Sequence, residues 1–270
     1  MENQALEIIL DKVFDYAGMF PPAEKTFVDA LSTAAKFSTT LQRPGMPNAD
    51  AVLKIEDFEK LKDQSLRDYG FNKPVNISIL GPLLTDEGIS DEIAELLDYD
   101  RTLINVVSYE MKLNDINETT IRHTLEQFIN KLFIVCLEID LSQDDWQSKV
   151  QHLCTLIESL SKNTDLPKIA LKVRGTGPTA IDNKKLAFII DLVARKKILI
   201  KATAGFHHPI LEPGRYNNNL GFLNFLVCLY LRYSDDEMMI EDCYDCLNIT
   251  DIKRFNFDKG LLWREFFLKT

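Results

Sequence analysis

The sequence predicts an α/β chain built as a (β/α)8 TIM-type barrel, irregular or incomplete, with residues 1–270 forming one domain. Three observations lead there. Short apolar runs rich in β-branched residues alternate with helical patterns, which is how parallel strands joined by crossover helices read in sequence. The length suits a barrel of about 250 residues. No linker, low-complexity tract or internal repeat interrupts the chain. A doubly wound open sheet is the alternative architecture.

The elements follow in order. "DYAGMFPPA" (15–23) contains Gly18, which can end a preceding helix, and Pro21–Pro22, which forbid its continuation. The same segment is also a candidate first strand, and in that role it brings Asp15 and Tyr16 to the barrel mouth. Strands are then expected at "AVLKI" (51–55), "VNISIL" (75–80), "TLINVVSY" (102–109), "LFIVCLEI" (132–139), "KIALKVR" (168–174) and "ILIKAT" (198–203). Helices are expected near 56–66, 90–98, 116–131, 144–161 and 183–195. In the fourth, Trp146, Val150, Leu153, Cys154, Ile157 and Leu160 recur at helical spacing behind the acidic start "QDD". Near the C-terminus "FNFDKGLLW" (255–263) reads as a hairpin with an Asp-Lys-Gly turn, so the count to eight strands stays open.

Composition narrows the function classes. The chain is 46% hydrophobic and 27% charged, an ordinary globular balance. Its formal net charge of -10 argues against nucleic-acid binding, which requires a basic face. The acidic, amphipathic N-terminus is not a signal peptide, and the most apolar stretch, Leu220 to Leu231, is shorter than the roughly 20 residues a bilayer demands. The expectation is a soluble, cytoplasmic protein with a small-molecule partner and no membrane; the oligomeric state is open. Five cysteines in mostly apolar runs give no disulfide framework, and Cys243 and Cys246 read as neighbours on one helix.

Strand phase selects the candidate site. Successive side chains of a strand point to opposite faces. Lys172 and Arg174 share one face of "KIALKVR", Lys201 and Thr203 share one face of "ILIKAT", and Glu138 faces the same way on "LFIVCLEI". All lie in the C-terminal halves of their strands, the end where barrels do chemistry. Three cations against one carboxylate suit an anionic or carbonyl-bearing guest. A cationic, partly dehydrated neighbourhood is also the usual way to activate a lysine amine as a nucleophile. A structural ion-pair network has the same pattern.

The flanking loops extend the set. Gly175, Thr176 and Gly177 form either an anion-facing turn or an ordinary strand-to-helix turn. His207 and His208 are adjacent, so their rings diverge and one of them faces the mouth as an acid/base or hydrogen-bond donor. Catalytic zinc usually takes three protein ligands, and His123 and His152 fall in helices without a tie to this end. No metal and no cofactor is therefore expected.

"DYAGMFPPA", "KATAGFHHP" and the following "LGFLNFL" together resemble an uncharacterised bacterial protein family that carries D-Y-A-G-[LM]-F-P-P-A and K-A-T-A-G-x-H-H-P followed by G-F-L-N. The resemblance spans most of the chain and departs from the pattern at "KVRGTG", where paired glycines belong. It implies no reaction. "LIKATAG" is also similar to the strand end of class I aldolases of the deoxyribose-phosphate aldolase type, whose lysine forms a Schiff base with a carbonyl substrate. Lys201 and Gly205 keep that lysine-to-glycine spacing, while Ala202 and Ala204 replace a hydroxyl residue and a threonine. The second lysine and the phosphate loop of that type have no counterpart after residue 210.

The expected function is thus an enzyme acting on a small anionic carbonyl or carboxylate compound, a Schiff-base lyase with Lys201 as nucleophile. Glu138, His207 and His208 would join it in catalysis. Lys172, Arg174, Gly175, Thr176, Gly177, Thr203, Asp15 and Tyr16 would bind the substrate. A non-catalytic anion-binding protein and a metal-dependent hydrolase or lyase using His207 and His208 are the alternatives.

Overall fold

A computed structural model describes residues 15–21, 23–40, 51–58, 75–84, 104–130, 132–177, 179–213, 220–258 and 260–268. Its elements are α1 (Phe27–Thr40), β1 (Ala51–Lys54), α2 (Ile55–Phe58), β2 (Val75–Leu84), β3 (Ile104–Leu113), α3 (Glu118–Gln127), β4 (Ile134–Glu138) and α4 (Trp146–Leu160). There follow β5 (Lys168–Arg174), α5 (Asn183–Lys196), β6 (Leu199–Thr203), α6 (Phe222–Ser234), α7 (Ile240–Leu247), a 3₁₀ turn (Ile252–Arg254), β7 (Leu261–Trp263) and β8 (Phe266–Leu268). Strands β1 to β6 follow one another in chain order. Two compact units emerge, one drawing on Leu10–Leu137 and Asn163–Lys168, the other on Glu138–Lys162 and Ile169–Thr270.

In the first unit β1 pairs with β2 and β2 with β3, all in parallel. The β2–β3 register slips between Leu80 and Leu83, on either side of Pro82, whose missing N–H cannot join a ladder. Both strands run past their expected ends, to Leu84 and Leu113. The "DYAGMF" segment is not a strand: Tyr16 makes a single parallel bridge to Ala51, and its carbonyl accepts the Val52 N–H at 3.0 Å. A turn from Ala17 to Phe20 follows, in which Gly18 lies against the Tyr16 ring. On α3, Asn117 caps the first turn by accepting from the Thr120 N–H, and Ile121 and Leu125 are buried. The expected helix at 90–98 and most of the one at 56–66 lie outside the described residues.

In the second unit α4 buries Val150, Leu153, Cys154, Leu156, Ile157 and Leu160, the stripe its spacing predicts, at about 1.5–3 kcal/mol for each large aliphatic side chain. Helix α5 is fixed at both ends. Asp182 accepts from the Lys185 N–H at 2.8 Å, and Lys197 closes the C-terminus with φ 53°. Strand β5 is buried on both faces from Ile169 to Val173, as a covered parallel strand should be, and pairs in parallel with β6. Strand β6 is more open: Leu199 is exposed and Ile200 to Thr203 are half-buried.

The eight-stranded barrel is the expectation that needs correcting. The described residues hold six parallel strands, and the last two strands, β7 and β8, pair antiparallel in a separate ribbon. The "FNFDKGLLW" segment also turns back on itself, with Asn256 and Leu262 exchanging two backbone hydrogen bonds. After β6 the chain has no crossover to another parallel strand among the described residues. His208 makes one bridge to Gly221, and α6 begins at once.

One polar residue holds this C-terminal region together. Asn224 on α6 is wholly buried; its Oδ1 accepts from the Leu211 N–H, and its Nδ2 donates to the carbonyls of Cys246 and Ile249. It ties the loop after β6 to the end of α7. Gly221 is needed beside it, because a Cβ there would run into the Asn224 amide. No described helix is long and apolar enough to cross a membrane. Asn224→Ala removes three hydrogen bonds from a wholly buried position, so unfolding in urea should show a loss of about 3 kcal/mol. A loss under 1 kcal/mol would show that the clip is dispensable.

Candidate functional site

The site is built at the C-terminal ends of β4, β5 and β6. Glu138, the last residue of β4, has a side chain only 5% exposed, yet it is charged and must find compensation. Lys172 supplies it at 2.8 Å and is equally buried. Arg174 forks onto the same carboxylate, Nε to Oε1 at 3.0 Å and Nη2 to Oε2 at 3.4 Å, while its side chain stays 35% exposed. Burial alone pushes the Glu138 carboxyl up. The Arg174 hydrogen bond and the Lys172 charge outweigh it and hold the group below the ordinary carboxylate range. Glu138 is thus an anion locked between two cations.

Lys201 stands opposite Lys172 in the parallel register, as Thr203 stands opposite Arg174. Registered neighbours on parallel strands share a face, so the cationic edge continues from Lys172 and Arg174 onto β6. The deeply buried lysine is Lys172; Lys201 is half-buried. The phase argument therefore places all four charges on neighbouring strand ends, but the amine it singles out is the more open of the two.

The two glycine loops explain themselves by contact. Gly175 donates its N–H to both the Thr203 and the Ala204 carbonyls, at 3.0 and 2.9 Å. A Cβ on Gly175 would lie 2.6 Å from the Ala204 oxygen, and one on Gly205 would lie 2.6 Å from the Gly175 carbonyl carbon. The loops after β5 and β6 pack backbone to backbone, which only glycine allows. Gly175 consequently has its N–H engaged within the protein rather than turned toward an anion. Gly177 (φ 93°), Ala204 (φ 47°) and Gly205 (φ 82°) are left-handed, and Thr176 is half-buried against Gly205.

The histidines diverge as adjacent residues of an extended segment should. The exposed His207 ring accepts the Gly205 N–H at Nε2, at 3.2 Å. The half-buried His208 has Nδ1 3.6 Å from a Glu212 carboxylate oxygen, and its carbonyl accepts the Phe222 N–H. Among the described residues no three His, Cys, Asp or Glu side chains come together to hold a metal ion. His123 and His152 are exposed on α3 and α4. Asp15 and Tyr16 belong to the first unit, where Tyr16 anchors β1.

A groove of about 320 Å³ lies at the start of α5, lined by Asp182, Asn183, Lys184, Leu211, Leu220, Tyr244 and Asn248. None of the sequence-derived site residues lines it. It nevertheless adjoins the site, because Leu220 also lies against Gly175. Sequence reasoning missed this wall, because its residues come from three separated segments. No protein-family model, curated protein or solved structure matches the chain.

The ion triad gives a pH prediction with a definite sign. Glu138 is depressed in the folded state, so its stabilising contribution is present above the unfolded carboxylate value of about 4.3. It is lost as pH falls through the lower folded value. Glu138→Gln should flatten that acid limb of a stability–pH curve and, by leaving Lys172 buried without its partner, cost about 3–5 kcal/mol at neutral pH. An unchanged acid limb in the variant would show that Glu138 does not carry it.

Proposed function

We propose that the protein is an enzyme acting on a small anionic carbonyl compound at the ends of β5 and β6, with Lys201 as a Schiff-base nucleophile. The observation that carries this reading is the register pair of Lys172 and Lys201 beside a carboxylate already claimed by Lys172 and Arg174. Of the two amines, Lys201 lies on the more open strand, where a small substrate can reach it. The likeness of "LIKATAG" to the strand end of class I aldolases supports the same assignment.

The roles divide by burial. Lys172 and Glu138 set the field of the site from within. Arg174, partly exposed, offers an anion its outer guanidinium edge. Glu138, held ionised, is unsuited to donating a proton at neutral pH, so proton transfer falls to His207 or His208. In the reaction the Lys201 amine forms a nitrogen–carbon bond to the substrate carbonyl, whose oxygen leaves as water, giving an iminium that can accept electrons from a neighbouring carbon–carbon bond. The groove beyond Leu220 gives room for the remainder of a substrate.

Borohydride with pyruvate, glyoxylate and small hydroxyaldehydes should trap a secondary amine on Lys201, located by peptide mass. Lys201→Met should abolish trapping and Lys201→Arg should not restore it, while Lys162→Met, at an exposed lysine after α4, should leave it intact. Thermal stabilisation by the same compounds without any trapping would replace the enzyme with an anion-binding protein.

A further inference from the structure

The groove at the start of α5 is lined mainly by polar residues, whereas small-molecule sites are mostly apolar. Its volume of about 320 Å³ stands at the small end of the range for such sites, about 300–1,000 Å³, so it fits one ring rather than an extended chain. The two leucines in its lining are firmly placed: Leu220 is buried, and Leu211 is held by its N–H bond to Asn224. Its polar side is tied between α5 and α7. Asn183 spends both amide hydrogens, on the Leu247 carbonyl at 3.3 Å and on Asn248 Oδ1 at 2.9 Å. Asn248 spends one of its own on the Tyr244 carbonyl at 2.7 Å. Left over among the described residues are Asn183 Oδ1 as an acceptor, the second Asn248 amide hydrogen as a donor, and the Tyr244 hydroxyl as both. The Tyr244 ring is itself 37% exposed.

Charge favours a neutral occupant. Asp182 and Lys184 bring one charge of each sign to the groove. The positive end of the α5 dipole is already answered by the Asp182 carboxylate, which accepts from the Lys185 N–H at 2.8 Å, so an anion arriving there meets a like charge. A cation meets Lys184. A neutral ligand that both donates and accepts meets neither penalty, and hydroxyl groups do both. A hydroxylated ring also has a C–H face, which packs on an aromatic ring or a leucine side chain. We propose that this groove binds a neutral polyhydroxylated ring compound, its hydroxyls on the Asn183 and Asn248 amides and its C–H face on Tyr244. The site goes beyond the Schiff-base reading and does not depend on it.

Methyl glucoside and myo-inositol test the groove alone, since neither has a free carbonyl or a charge. Added to about 50 mM, enough to fill a site of millimolar affinity, at least one of them should move the amide signals of Asn183, Lys184, Tyr244 and Asn248 in ¹⁵N-labelled protein, the Asn248 side-chain amide included. Tyr244→Ala should weaken that binding about fivefold, the worth of one ring contact, and Tyr244→Phe, which keeps the ring, should lose less. Melting temperatures check that these exposed substitutions leave the fold intact, and the signals of the unsubstituted protein carry the test where a variant is destabilised. No movement of those signals with either compound, or equal affinity in Tyr244→Ala, overturns the proposal. Tighter binding of propionate at the same signals overturns the neutral assignment, and tighter binding of N-acetyl-alanine methylamide puts a peptide in place of the polyol. Neither ring compound can be trapped on Lys201 by borohydride, so the groove and the Schiff base fail independently.

Discussion

A buried carboxylate that must stay charged sets the terms for the rest of the second unit. Glu138 is shielded from water, so its ionised form survives only because Lys172 and Arg174 both reach it. Lys172 is as buried as its partner, and neither could be housed alone. Such a triad adds little net stability over a well-packed apolar core; what it fixes is arrangement. Once Arg174 is drawn to Glu138, the chain leaves β5 at a set angle, and Gly175 can reach the Thr203 and Ala204 carbonyls. That contact in turn fixes the loop bearing Gly205 and His207. The polar end of β6 is therefore positioned by a charge on β4 and a glycine on β5.

The first unit solves a similar problem with hydroxyls. Glu110 on β3 is buried, and Ser78 on β2 donates to it at 2.7 Å, while Ser108 donates to Ser78 at 2.5 Å. The Tyr109 hydroxyl, on the opposite face, is buried without a hydrogen-bond partner among the described residues and packs against Gly81, where any Cβ would collide with it. Burial pushes its phenol up, away from ionisation. Cysteine is treated in the second unit as a small apolar filler. Cys228, Cys243 and Cys246 are all buried between α6 and α7, and burial raises the Cys228 thiol well above its ordinary value. The C-x-x-C pair thus sits in a packed helix interface, which fits the neighbour reading of its spacing.

What sequence shows depends on whether the signal is local. Strand phase is local, so Glu138, Lys172, Arg174 and Lys201 could be placed on one set of strand ends from alternation alone, and Glu138 is found bonded to two of the others. Helices α4 and α5 were legible for the same reason, the first through the Trp146-to-Leu160 stripe, while the Asp182 cap of the second emerges only in the structure. Strand number was not legible, because whether "FNFDKGLLW" adds to a barrel or folds on itself depends on partners distant in sequence. Gly175 was half legible: a Gly-x-Gly turn is visible, but the carbonyls that take its N–H come from the next loop. Asn224 was not singled out in the sequence, because its partners in and after α7 lie more than twenty residues away.

The openness of β6 is the last constraint on function. In a closed barrel a lysine on the inner face is walled in by strands on both sides, and its activation follows from burial. Here β6 ends the run of parallel strands among the described residues, and Lys201 is half-buried while the enclosed lysine, Lys172, is tied to Glu138. On the proposed Schiff-base reading, activation of Lys201 would come from neighbouring charge more than from dehydration. On that reading a substrate that brings its own anion suits the site, since an anion held beside Arg174 would help to align its carbonyl with the amine.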